Sequence, residues 1–244
     1  VPSTMKFVNL LILMGEYEKA ERYITMLIEE LQSFSDNDEN IGYAYDLMGQ
    51  ICQKRDDYTN ALIYFERALN IIQPDNIYRA IIFQNIGKVY QFMVNNSVAL
   101  EYYEKALQFQ EKMTPFDLAC LYCTFGTLYQ EMEQFDDALI YFNNTLDICH
   151  SHSFNPIWYV DIFVSLATIY AERSNYNEAL QFCNRIMDNL SKLVMKNHPL
   201  LITAYGTTAK IYFQCGDYGL AMASCQKALN IAEKVMHKEN IGKQ

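Results

Sequence analysis

Glycine and proline are scarce, with 9 Gly and 5 Pro in 244 residues. So few turn formers argue against an all-β fold of many short strands, and they suit long helices joined by tight turns. Positive charge is scarce too: 19 Lys and Arg stand against 29 Asp and Glu, for a net charge of −10. Phosphate binding needs clustered Lys and Arg, so no nucleic acid partner is expected, and no anionic membrane surface. A protein or peptide with a basic segment is favoured instead, through weak electrostatic steering. No apolar run has the length of a membrane-spanning helix, and no stretch reads as a signal peptide. The sequence begins VPSTMKF, without an initiating Met, and reads as an excised or processed fragment. Its 7 cysteines lack framework spacing, which points to a reduced, cytoplasmic compartment.

What is present is a hydrophobic content of 51%, enough to bury a sizeable core, and a sentence said six times. YEKAERYITML begins at Tyr17, and DYTNALIYFERAL, SVALEYYEKAL, FDDALIYFNNTL, YNEALQFCNRIM and YGLAMASCQKAL follow. The copies align on Ala20, Ala61, Ala99, Ala138, Ala179 and Ala221, at intervals of 41, 38, 39, 41 and 42 residues. Three residues before the Ala stands Tyr17, Tyr58, Phe135, Tyr176 or Tyr218; the third copy has Asn96 instead. Twelve residues before it stands Gly49, Gly87, Gly126, Ala167 or Ala209, and three after that Cys52, Tyr90, Tyr129, Tyr170 or Tyr212. Small residues let two helices approach closely, and the Tyr fills the groove beside them. Each unit is therefore expected to be helix A, a tight polar turn and helix B.

These residues resemble the tetratricopeptide repeat (TPR). YAYDLMGQIC, FQNIGKVY and YCTFGTLY match its helix A, and ALIYFERAL and ALEYYEKAL its helix B. The period near 40 exceeds the usual 34, a lengthening similar to the repeats of kinesin light chains and the LGN/Pins family. The last unit, opening at His198 and Pro199, looks especially like a kinesin-light-chain repeat. The resemblance implies an all-α, right-handed superhelical solenoid of six antiparallel helix pairs, some 12 helices. The expected boundaries are 1–37, 38–74, 75–114, 115–154, 155–196 and 197–238, with a tail at 239–244.

It implies further that exposed A-helix positions line a concave groove for a peptide or helical segment of a partner. The candidates are Asp46, Gln50 and Gln53; Gln84, Asn85, Lys88 and Gln91; Thr127 and Gln130; Asp161 and Thr168; and Lys210. Amide side chains offer donors and acceptors to an extended peptide. Among these candidates Lys88 and Lys210 are the only cations, which argues against a carboxylate clamp for chaperone tails.

Catalytic chemistry is not expected, nor any cofactor. Cys120-x-x-Cys123 lacks a second pair or suitably spaced histidines, His150 and His152 falling in an inter-repeat turn, so no metal site is expected. Cys183 and Cys225 take the helix-B position of Phe65, Tyr103 and Phe142 and read as small core fillers. Asp56–Asp57 and Asp136–Asp137 suit helix N-termini. The leading function is a non-enzymatic interaction scaffold. The alternatives are the regulatory or targeting arm of a larger enzyme, for example a mono-ADP-ribosyltransferase, and a peptide-pheromone receptor. Neither end carries an obvious polar cap, so the array is expected to continue or to self-associate through a terminal face.

Overall fold

The structure is a computed structural model and describes residues 3–34, 38–193 and 198–241. Residues 1–2, 35–37, 194–197 and 242–244 fall outside the described residues, and with them parts of the first and fifth expected repeats, the first residue of the sixth and part of the tail. The chain divides into two compact units, Val1–Thr114 and Pro115–Gln244. The first holds α1 (Ser3–Leu13), α2 (Tyr17–Phe34), α3 (Glu39–Lys54), α4 (Tyr58–Ile71), α5 (Tyr78–Phe92) and α6 (Asn96–Leu107). The second holds α7 (Pro115–Glu131), α8 (Phe135–Ser151), α9 (Val160–Glu172), α10 (Tyr176–Leu193), α11 (Pro199–Gln214) and α12 (Tyr218–Ile241). Two short 3-10 turns, Gln110–Lys112 and Pro156–Tyr159, complete the described elements. The architecture is an all-α array of antiparallel helix pairs, as expected.

The A-to-B turns share one device. The residue five before the aligned Ala is left-handed in every pair: Gly15, Asp56, Val94, Glu133, Ser174 and Gly216, with φ between 58° and 88°. It ends helix A in a Schellman motif. In the third pair Asn95 N–H donates to the Tyr90 carbonyl at 2.8 Å and Val94 N–H to that of Gln91 at 2.9 Å. Helix B then starts at once; Asp57 caps α4 by accepting from the Asn60 N–H at 3.2 Å. Glycine suits this conformation and a β-branched residue does not, so Val94 carries strain.

The cores repeat as well. The aligned alanines are buried, and Ala20, Ala61, Ala99, Ala138 and Ala179 are fully so. Where helix A has Gly, helix B lays an aromatic ring over it. A Cβ on Gly49 would come within 2.5 Å of Phe65, one on Gly126 within 2.7 Å of Phe142, and one on Gly87 would likewise run into the Tyr103 ring. In the fifth pair the small residue is Ala167 and its partner is the buried Cys183. The two positions trade volume, as close packing requires. Cys183 is core as expected, but Cys225 is exposed, since among the described residues none packs on that side of α12. The third copy's Asn96 leaves its Oδ1 buried without a partner, where other copies place a ring.

Candidate functional site

In the first unit the A helices α3 and α5 are joined by a buried carboxylate. Asp46, on α3, is wholly buried. Its Oδ2 accepts from the Tyr78 hydroxyl at 2.7 Å and from Gln50 Nε2 at 2.8 Å, and its Oδ1 accepts from Asn85 Nδ2 at 3.0 Å. Tyr78 and Asn85 lie on α5, so the charge ties one repeat to the next. Burial raises the Asp46 pKa above its ordinary 3.8, and the hydrogen bonds from Tyr78, Asn85 and Gln50 oppose the rise. Burial, then the Asp46 charge, push the Tyr78 phenol far above its ordinary range, so it remains a donor.

A second layer adjoins this one. Asn76, in the turn before α5, donates from Nδ2 to Glu39 Oε2 and to the Tyr43 hydroxyl, both at 3.2 Å. Glu39 Oε1 also accepts from the Gln73 N–H at 3.1 Å. The Tyr43 and Tyr78 rings meet edge to face at 4.5 Å. These contacts set the orientation of both helices and of the amides they carry.

The twelve candidates divide by what they touch. Asp46 is not an exposed groove residue but the buried centre of the network, and Gln84 is also buried. Gln91 accepts the Tyr103 hydroxyl on Oε1 at 2.7 Å, a bond to the core. Gln50, Gln53, Asn85 and Lys88 are half-buried on α3 and α5. In the second unit Thr127 and Gln130 are half-buried on α7 and Thr168 on α9, while Asp161 and Lys210 are exposed. The Thr127 and Thr168 hydroxyls donate to the carbonyls of Thr124 and Val164, at 2.9 Å each. Lys210 reaches Glu172 Oε1 at 3.4 Å.

Sequence reasoning missed Tyr78, Asn76 and Glu39. A signal existed: the repeat position of Asp46 is held elsewhere by Met5, Gln84, Cys123, Val164 and Gly206. One charge in such a column faces inward. Among the described residues no group of three or more His, Cys, Asp or Glu side chains could hold a metal ion, and no helix is long and apolar enough to cross a membrane.

Comparison with known proteins agrees with this architecture. The structure is similar to that of BtubC from P. vanneervenii at 15% identity and a TM-score of 0.76, covering 90% of this chain and 92% of that one. It is similar to TPR-like repeats of a Podosopora anserina protein assigned to the kinesin light chains, at 15% identity, a TM-score of 0.67 and coverage of 79% and 95%. It is also similar to the quorum sensor NprR of B. thuringiensis, at 14% identity, a TM-score of 0.71 and coverage of 94% and 64%. These likenesses concern the fold. In sequence the chain is 25% identical over 181 residues to response regulator aspartate phosphatase E of Bacillus subtilis. The match takes in 72% of this chain and 48% of the relative, so the chain spans about half the length of that protein. The profile of the tetratricopeptide repeat matches residues 41–112 and 159–234, more than half of the sequence. The chain belongs to the tetratricopeptide repeat family.

Proposed function

We propose that the chain is a protein-interaction module that takes an extended peptide, or a helical segment, of a partner across the α3–α5 A-helix face. The observation that carries this reading is the commitment of two amides. Gln50 Nε2 and Asn85 Nδ2 both donate to Asp46. A carboxylate can only accept, so the orientation of both amides is fixed. Their carbonyl oxygens remain as positioned acceptors. They suit backbone N–H groups of an extended peptide, or Lys and Arg side chains of a basic segment, which the net charge of −10 also favours. Positions held by buried bonds cost little to order on binding.

A second reading is favoured by the relatives. One is named a response regulator aspartate phosphatase, of which this chain spans 48%, and one a quorum sensor, of which it spans 64%. By analogy the module is the sensing or regulatory arm of a larger signalling protein, and its peptide is a signal. Both readings use the same face.

The test is a peptide-display selection on the native chain and on a Gln53→Ala, Lys88→Glu variant with an unchanged melting temperature. Peptides enriched on the native chain and lost on the variant support the reading. Equal enrichment on both, or none on the native chain, contradicts it.

A further inference from the structure

The chain's one Trp, Trp158, is 68% exposed, although an indole ordinarily gives a fold much of its buried area. It lies in the 3-10 turn Pro156–Tyr159 ahead of α9. Nine residues before the small residue of its pair, it takes the repeat position of Tyr78. Tyr78 turns inward because Asp46, of the pair before, accepts its hydroxyl. In the pair before Trp158 the position of Asp46 is held by Cys123, so no carboxylate draws the indole in.

The ring does not stand alone. Phe116, at the start of α7 and 40% exposed, meets it edge to face, with centroids 5.4 Å apart and planes at 87°. Phe154, from the turn after α8, meets Phe116 at 5.9 Å and 70°. An edge-to-face contact covers at most one face of the indole, and the exposure leaves the other to solvent. Two walls at right angles form an open aromatic corner.

The charge around this corner has one sign. Residues 113–172 contain eight Asp and Glu and neither Lys nor Arg, so they carry eight of the chain's ten net negative charges. Three of the eight, Asp117, Asp147 and Asp161, lie in the first turn of α7, the last turns of α8 and the first turn of α9, the helix ends that also carry the rings. Elsewhere the chain lays its own cations over such rings: Lys105 Nζ is 4.2 Å from the centre of Tyr102, and Arg185 Cζ 5.7 Å from that of Phe182. The stretch around Trp158 has none to offer. Helix N-termini account for Asp117 and Asp161, but not for the bare ring beside them.

We propose that the Phe116–Trp158 corner binds a Lys or Arg side chain from a basic segment of a partner protein. The cation lies over the open face of Trp158, and the surrounding carboxylates draw it there. The surface belongs to the second unit, and the proposal does not rest on binding at the α3–α5 face of the first.

Because the chain has a single Trp, the site is its own reporter. Octa-arginine titrated into the 244-residue chain is expected to give a saturable change in Trp158 emission. The affinity should fall as added salt shortens the Debye length from about 30 to 8 Å. Fluorescein-labelled octa-arginine, followed by anisotropy, then compares variants. Trp158→Leu keeps the charge and an apolar side chain but removes the π face. Its affinity is expected to fall about threefold or more, with Trp158→Phe in between. The position is exposed, so both variants should keep the native melting temperature. Binding that leaves Trp158 emission unchanged overturns the proposal, as does no binding up to about 1 mM. So does a Trp158→Leu variant that binds as tightly as the native chain, or octaglutamine that binds as tightly as octa-arginine.

Discussion

The Asp46 carboxylate accepts the Tyr78 hydroxyl at 2.7 Å, and with the bond from Asn85 it joins the consecutive A helices α3 and α5. Replacing Asp46 by Ala leaves Tyr78, Gln50 and Asn85 without the buried acceptor they share. The expected cost is about 3 kcal/mol, read as a lower urea midpoint.

The same group makes stability depend on pH. Its folded pKa is raised above 3.8 by burial. The folded state therefore holds the proton more tightly than the unfolded state. Asp46 stabilises relatively more when protonated, and that share is lost as pH rises from the ordinary value through the raised one. In Asp46→Asn this dependence vanishes. The stability difference, native minus variant, should thus fall with rising pH across that window; urea melts at a series of pH values measure it. A flat difference would mean that the hydrogen bonds cancel the burial.

Volume exchange between helix A and helix B predicts a rescue. Gly126→Ala places a Cβ within 2.7 Å of the Phe142 ring, and is expected to destabilise by about 2 kcal/mol. Phe142→Cys opens a cavity at a fully buried site and is expected to cost about 3 kcal/mol. Together they recreate the Ala167–Cys183 pair of the fifth repeat. The double variant should be more stable than the sum of the single changes implies, by at least about 1 kcal/mol in a thermodynamic cycle.

Val94 sits at φ 59° and is 83% exposed. Val94→Gly relieves a left-handed β-branched residue and touches no core. Stability should rise by about 1 kcal/mol, even after the added freedom of the unfolded chain. Thermal unfolding checks it, and Val94→Ala should gain less.

The architecture was legible because it is written six times. One alanine, one small residue and one aromatic per unit are enough to place two helices and a turn, and they also explain the trade of Gly126 and Phe142 for Ala167 and Cys183. The site was legible only in outline. Exposure was inferred from helical phase, and phase cannot tell a groove from the seam between neighbouring A helices. Asp46 and Gln84 fall on that seam and are buried. Gln91 looked like a surface amide until its bond to Tyr103, twelve residues on, fixed it to the core. The left-handed turn position escaped notice because four of its six residues are not glycine. There the Schellman bonds, rather than the residue type, hold the conformation.

Hydrogen exchange of the chain with and without a display-selected peptide tests the central claim most directly. Binding across the A-helix face predicts added protection of backbone amides in α3 and α5, around Gln50, Gln53, Asn85 and Lys88, with α4 and α6 unchanged. Protection confined to α4 and α6, or to α11 and α12, would contradict it.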